Sequence, residues 1–189
     1  MFENRHKPNI LFAAIAAGIV ICMIILNISP ASQDMGHIEH DATVTETEDP
    51  AKPVVHLYFA DRNNSFLKAE ERDFQSNNPT EFGKAIVEAL IEGPRSGLMR
   101  TIPQGSTLKA FYITRDGTAY VDMAGGVKDA YSGGVKSELF AIYSMVDSLT
   151  LNIPEIDSVK FLINGKESMT LNGHVDLRFP FKANMLLIR

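Results

Sequence analysis

The feature that most constrains this chain is an unbroken apolar run from Ile10 to Ile28 (ILFAAIAAGIVICMIILNI), nineteen residues without a charge. At ~1.5 Å per residue a helix of that length reaches ~28 Å, close to the ~30 Å hydrocarbon core of a bilayer. It predicts one transmembrane helix over residues 10–28 and takes those residues out of any water-facing fold. Arg5 and Lys7 precede the run and the next basic residue is Lys52. The positive-inside bias therefore places residues 1–9 in the cytoplasm and everything after the helix outside it. The expected location is the cytoplasmic membrane, single-pass, with an extracytoplasmic C-terminal domain. A cleaved signal peptide is the competing reading, since Ser29-Pro30-Ala31 offers small residues. The run is longer than the usual ~7–15 residue signal core, which favours a retained signal anchor.

Residues 29–53 carry six acidic residues and no basic one before Lys52, with neither helical nor strand periodicity. They read as an acidic disordered tether with a reach of ~25–30 Å. Most of the net charge of −5 belongs to this tether, and the remainder of the chain is close to balanced. No cluster of Lys and Arg is present to release counterions from phosphates, so nucleic acid is not an expected partner. Cys22 is the single cysteine and sits in the apolar run, which excludes an internal disulfide, a multi-thiolate zinc site and a redox pair. His37 and His40 have a spacing that would suit a metal on a helix, but in a tether they read as solvated. No metal or cofactor is expected.

Residues 54–189 read as one α/β (α+β) domain, a mixed or antiparallel sheet packed by two main helices. VVHLYFA (Val54 to Ala60) is nearly continuously apolar and β-branched or aromatic, the pattern of a strand buried on both faces and central in its sheet. Phe66 to Phe74 is a more polar second strand, with KAEER inside it as a competing helical turn. Asn78-Pro79 opens a helix whose face runs through Phe82, Ile86, Ala89 and Leu90, and Gly93-Pro94 stops it. Ile102-Pro103-Gln104-Gly105 predicts a turn with proline second. Asp116-Gly117 predicts a two-residue hairpin with positive φ at both residues. A second helix is expected from about Val135 to Asn152, with an apolar stripe through Leu139, Ile142, Tyr143, Val146 and Leu149 and with Asp147 turned toward water. After Pro154, SVKFLI, KESMTL and HVDLRF are separated by Asn164-Gly165 and Asn172-Gly173, the pattern of a three-stranded meander. FKANMLLIR at the end is apolar enough to dock.

Chemistry-bearing residues are few. No serine sits in a G-x-S-x-G elbow, and Ser132 in YSGGV is explained by a glycine-rich connection. The chain lacks a phosphate-binding loop and a GxGxxG fingerprint, and it has no Trp. Acid and base work of the glycosidase kind needs two carboxylates facing one cleft, so Asp122, Glu138 and Asp176 are the candidates. Each has a structural reading. Asp122 alternates with Ala119, Val121 and Met123 on a strand, Asp176 shares a polar strand face with His174 and Arg178, with Val175, Leu177 and Phe179 on the other, and Glu138 complements a helix N-terminus. No catalytic set emerges.

EALIEGP (Glu88 to Pro94), TIPQGSTLKA (Thr101 to Ala110), TAYVDM (Thr118 to Met123), SELFAIYSMVDSLT (Ser137 to Thr150) and VKFLINGKESMTLNGHVDL (Val159 to Leu177), in that order, resemble the GerM domain of sporulation and spore germination proteins. Asp147-Ser148-Leu149-Thr150 stands where that family's second helix often ends in Asn-Thr-Leu-Thr. The resemblance implies a compact α/β domain similar to ring-building motifs, acting in envelope protein assembly without known catalytic residues. The expected function is a membrane-anchored extracytoplasmic interaction domain, its partner an envelope protein, a second copy of itself or peptidoglycan. The alternative is a cell-wall-acting hydrolase using two of Asp122, Glu138 and Asp176, or a peptidoglycan-binding module.

Overall fold

The computed structural model describes residues 54–74, 76–129 and 133–189. The apolar run of residues 10–28, the tether with His37 and His40, Cys22 and Ser132 lie outside the described residues. None of the described helices is long and apolar enough to cross a membrane.

Two sheets share one core. The first is a two-stranded antiparallel pair of β1 (Val54–Ala60) and β2 (Leu67–Asp73), in which Val54 faces Asp73 and Ala60 faces Leu67. The second has the order β3 (Leu108–Ile113), β4 (Thr118–Met123), β5 (Ser158–Ile163) and β6 (Lys166–Glu167). Its outer pairs are antiparallel and β4 runs parallel to β5, so this sheet is mixed. Helix α1 (Pro79–Glu92) and helix α3 (Val135–Thr150) pack on the sheets, and a single-turn α2 (Gly126–Asp129) joins β4 to α3. The core gathers Leu57 and Phe59, Ile86 and Leu90, Val121 and Met123, Ile142, Val146 and Leu149, and Val159 and Phe161. This is a mixed α+β domain.

Helix α1 begins as its sequence dictates. The Asn78 side chain accepts from the Thr80 and Glu81 N–H groups at 2.8 and 3.2 Å, and Pro79 occupies the first turn, where a missing N–H costs nothing. Gly93, at φ +100°, ends it. Beyond its exposed first turn at Val135 and Lys136, helix α3 is covered on more than one side: Phe140, Ala141, Ile142, Met145, Val146 and Leu149 are each less than 4% exposed, while Leu139 and Tyr143 are partly buried. The expected stripe is therefore only one of its covered faces.

Strand β1 is not central in its sheet. On the side away from β2, its edge is met by α3 rather than by another strand. Ser144 Oγ donates to the Tyr58 carbonyl at 2.5 Å, and Ser148 Oγ accepts the Tyr58 N–H at 2.9 Å. One turn further on, Asn152 accepts the His56 N–H at 2.9 Å and donates to the His56 carbonyl at 2.8 Å. Residues four apart lie on one helix face, so Ser144, Ser148 and Asn152 serve the edge as a strand would. Burial on both faces holds only from Leu57 onward, where Tyr58 and Ala60 lie with Phe140 of α3 and with Leu187 and Ile188, whereas Val54 and His56 are exposed.

Turns depart from expectation in detail. The β3–β4 hairpin forms, but Gly117 alone has positive φ, at +78°, and its N–H donates to the Thr114 carbonyl at 3.1 Å. Asp116 instead keeps ordinary φ and accepts from the Thr114 and Thr118 hydroxyls. The turn in the loop after α1 is shifted by one residue, with Ser106 N–H on the Pro103 carbonyl. Asn164-Gly165 does form a turn with both residues at positive φ, +54° and +75°.

The meander is corrected more substantially. β6 has two residues, and residues 170–180 form no strand. Their amides go elsewhere: Leu171, Asn172 and His174 donate to the Glu138 carboxylate. A segment whose N–H groups converge on one side chain cannot also line them up for a ladder. Phe179, expected on the inner face with Val175 and Leu177, is 67% exposed. The final segment docks and spans both sheets. Phe181 exchanges two backbone hydrogen bonds of 2.8 Å with Val159 of β5, and Arg189 N–H donates to the Leu67 carbonyl of β2 at 2.9 Å.

Candidate functional site

The three candidate carboxylates are each held by a different partner. Glu138, in the first turn of α3, has no exposed surface. Its Oε1 accepts the Leu171 and Asn172 N–H groups at 3.0 and 2.8 Å, and its Oε2 accepts the His174 N–H and ring Nδ1–H, both at 2.9 Å. Burial alone would raise its pKa, but the hydrogen bonds from Asn172 and His174 outweigh burial and hold it below the usual carboxylate value. An ionised carboxylate filled by four donors anchors a loop and has no lone pair left to take a proton from a substrate. Beyond complementing the helix terminus, it organises residues 171–174.

Asp122, on β4, is 6% exposed and accepts the Gly165 N–H at 2.8 Å. It fixes the Asn164-Gly165 turn, together with Asn164 N–H on the Met123 carbonyl at 2.9 Å. Asp176 is exposed and forms a fork with the Arg178 guanidinium at 2.8 to 3.2 Å, which holds its pKa at about 2. His174, Asp176 and Arg178 share no strand face: His174 turns to Glu138 while Asp176 and Arg178 pair with each other. Among the described residues no group of three or more His, Cys, Asp or Glu side chains could hold a metal ion.

Two charged sites escape a sequence reading. Asp147, expected in water, has no exposed surface because the segment around Asn184 covers α3. Its Oδ1 accepts the Asn184 N–H at 2.9 Å, its Oδ2 has no partner among the described residues, and burial lifts its pKa from 3.8 to about 6. The second site is the Glu70–Arg72 pair on the inner face of β2, buried at 2.6 Å. Glu70 Oε2 also takes the Arg95 and Ser96 N–H groups and the Ser96 hydroxyl, while Arg72 reaches the Gly93 carbonyl at 2.6 Å. Burial raises the Glu70 pKa, yet Ser96 and Arg72 together keep it below its ordinary value. The pair ties the end of α1 to β2. Beside it, an open groove of about 670 Å³ separates β2 from α1. Glu70 and Arg72 alternate on one face of KAEERD and Glu71 and Asp73 on the other, and that spacing is the available signal for this groove.

The Germane family, described as sporulation and spore germination, matches residues 56–168. The chain belongs to this family. Three solved structures share the fold. The first GerMN domain of the Bacillus subtilis sporulation protein GerM is 23% identical with a TM-score of 0.57, over 69% of this chain and 97% of that one. The tandem GerMN domains of the same protein are 22% identical with a TM-score of 0.57, over 70% of this chain and 46% of that one, so this chain spans just under half of the tandem. A Clostridium perfringens protein described as a lipoprotein is 22% identical with a TM-score of 0.51, over 69% of this chain and 87% of that one. No curated protein matches. The matched span runs from His56, the third residue of β1, through β6 and includes Glu138 and Asp147, whereas the docked segment from Phe181 to Arg189 lies beyond it.

Proposed function

We propose that this Germane domain is held outside the cytoplasm by the apolar run of residues 10–28 and works by binding, in envelope assembly connected with sporulation or germination. The observation that carries this reading is the engagement of the candidate carboxylates: Glu138 is filled by four donors, Asp122 holds Gly165 and Asp176 pairs with Arg178. Hydrolysis of the glycosidase kind needs a protonated acid and a free carboxylate facing one cleft. Three carboxylates serving the fold argue for a domain whose work is done by its surface. Support for the location comes from Arg5 and Lys7 ahead of the run, and from the description of the Clostridium perfringens neighbour as a lipoprotein. The expected partner is an envelope protein or a second copy of the domain.

Two measurements test the reading. Protease added to spheroplasts with intact inner membranes should degrade residues 54–189; protection would refute the extracytoplasmic placement, and a mature chain beginning near Ser32 would replace the anchor by a signal peptide. Incubation of the full chain with cell-wall fragments should leave them chemically unchanged. Release of muropeptides or reducing ends, abolished by Asp122→Asn or Asp176→Asn in a folded protein, would make the domain a hydrolase.

A further inference from the structure

The groove beside β2 is bordered by an open strand edge. On β1, the backbone groups of His56, Tyr58 and Ala60 point away from β2, since they bond to Asn152, to Ser144 and Ser148, and to Met99. In an antiparallel pair, the residues opposite such positions also point their N–H and C=O groups outward. Those residues are Glu71, Ala69 and Leu67, and the same alternation continues to Asp73, opposite Val54. Leu67 confirms the phase, because its carbonyl accepts the Arg189 N–H and it pairs in parallel with Ile188. From Ala69 onward the edge has no strand partner among the described residues. At ~3.3 Å per residue, Ala69 to Asp73 is about 13 Å of edge, room for about four or five residues of a guest strand. The other edge of this sheet is covered by α3, so among the described residues this one is distinct in being left open beside a groove.

Charge on the groove wall indicates what it would accept. Its lining carries five carboxylates, from Glu70, Glu71, Asp73, Glu88 and Glu92, against the guanidinium groups of Arg72 and Arg95. Glu70 is neutralised by Arg72, and Glu92 by Arg95 at 2.9 Å. Glu71 stands in water with only a 3.6 Å contact to the exposed His56, and Asp73 and Glu88 are exposed. Phe74, packed edge-on against Phe82, gives one end of the groove an apolar floor.

We infer that the β2 edge and its groove take an extended peptide segment bearing Lys or Arg, bound by strand addition from Ala69 to Asp73. Main-chain hydrogen bonds supply the ladder, and alternate side chains of the guest meet Glu71 and Asp73 on one face and Glu88 on the other. This rests on the binding role proposed above and names the chemistry of the partner. Charged residues on an edge also discourage unwanted pairing; acids discourage neutral or acidic strands while admitting a basic one.

The test uses the full chain in mild detergent and a fluorescent decapeptide alternating Val and Lys. Saturable binding is expected, and the same peptide N-methylated throughout should bind at least about tenfold more weakly, because it keeps the charge and loses every ladder donor. A decapeptide alternating Val and Glu should not bind. The double variant Glu71→Lys/Asp73→Lys, both exposed positions, should also weaken binding by about tenfold, and Ala69→Pro should do so by removing an outward N–H. If Ala69→Pro fails to fold, the N-methylated peptide makes the same test on the unaltered protein. Equal affinity for both Val-Lys peptides, or no saturable binding, would overturn strand addition and leave Glu71 and Asp73 as edge protection alone. Cross-linking in cells separates this inference from the binding role: a partner captured equally by wild type and by Glu71→Lys/Asp73→Lys would overturn the groove and keep the role.

Discussion

Replacing Asp147 by Asn separates the charge of a buried side chain from its shape. The carboxylate is fully covered, with Oδ1 on the Asn184 N–H and Oδ2 without a partner among the described residues. Burial raises its pKa from 3.8 to about 6, the Asn184 hydrogen bond offsetting part of that rise. An acid whose pKa is raised by folding is protonated more readily in the folded state. Below about pH 3.8 both states carry the proton and there is no penalty; above about pH 6 both are ionised and the folded state bears the whole cost. The gap between 3.8 and about 6 corresponds to about 3 kcal/mol. A neutral amide stands in for the protonated carboxyl: it offers Asn184 the same acceptor, and the two N–H donors of its Nδ2 lack a partner where the carboxyl leaves one O–H. Urea denaturation of wild type and D147N, followed by circular dichroism, should therefore show D147N more stable by about 2–3 kcal/mol near pH 8 and within about 1 kcal/mol of wild type near pH 4. Other acids titrate in both proteins and cancel in the difference. An equal loss of stability at both pH values would refute the reasoning, because the ionised carboxylate would then be well solvated.

Glu138→Ala leaves the Leu171, Asn172 and His174 N–H groups without their acceptor, so the urea midpoint should fall by an amount equivalent to about 3–6 kcal/mol and amide exchange at those residues should accelerate. Because the Glu138 pKa is lowered by folding, its contribution is complete above about pH 4.5 and is lost as pH falls, and a chain lacking it should lose less stability in acid than wild type. Val146→Asp puts an unpaired charge where the side chain has no exposed surface, and loss of the cooperative unfolding transition is expected; an unchanged transition would contradict the packing of α3. Ser148→Ala leaves the Tyr58 N–H without its acceptor and should cost about 1–3 kcal/mol in the same titration.

The parts of the fold legible in the sequence are those set by local pattern. Asn78-Pro79 and Gly93 bound α1, the stripe through Ile142, Val146 and Leu149 predicts α3, and Asn164-Gly165 predicts its turn. What escaped depends on contacts between distant segments. HVDLRF alternates like a strand, but Glu138 draws in the preceding amides and the ladder never forms. Asp147 reads as solvent-facing because a helix wheel does not show that residues near Asn184 lie across it. The edge function of Ser144, Ser148 and Asn152 had a signal in their spacing of four, which sets three short polar side chains in one line along α3 and just past its end. For the candidate site, the residue types of Asp122, Glu138 and Asp176 were visible while their partners were not, and partners decide whether a carboxylate is a catalyst or an anchor. The Glu70–Arg72 pair was hidden in KAEER, whose charges suggested water for a strand that buries two of them.

The central claim is that this Germane domain works by binding. It is tested most directly by photo-crosslinking in cells, with a photoreactive amino acid placed in the full chain at the exposed positions Tyr112, Met169 and Leu186 and at Glu71 on the β2 edge. Discrete adducts from some of these positions, to one envelope protein or to a second copy of the chain, and lost when the partner is absent, are the predicted result. Uniform absence of adducts from all four positions, with the domain folded and outside the membrane, would contradict it.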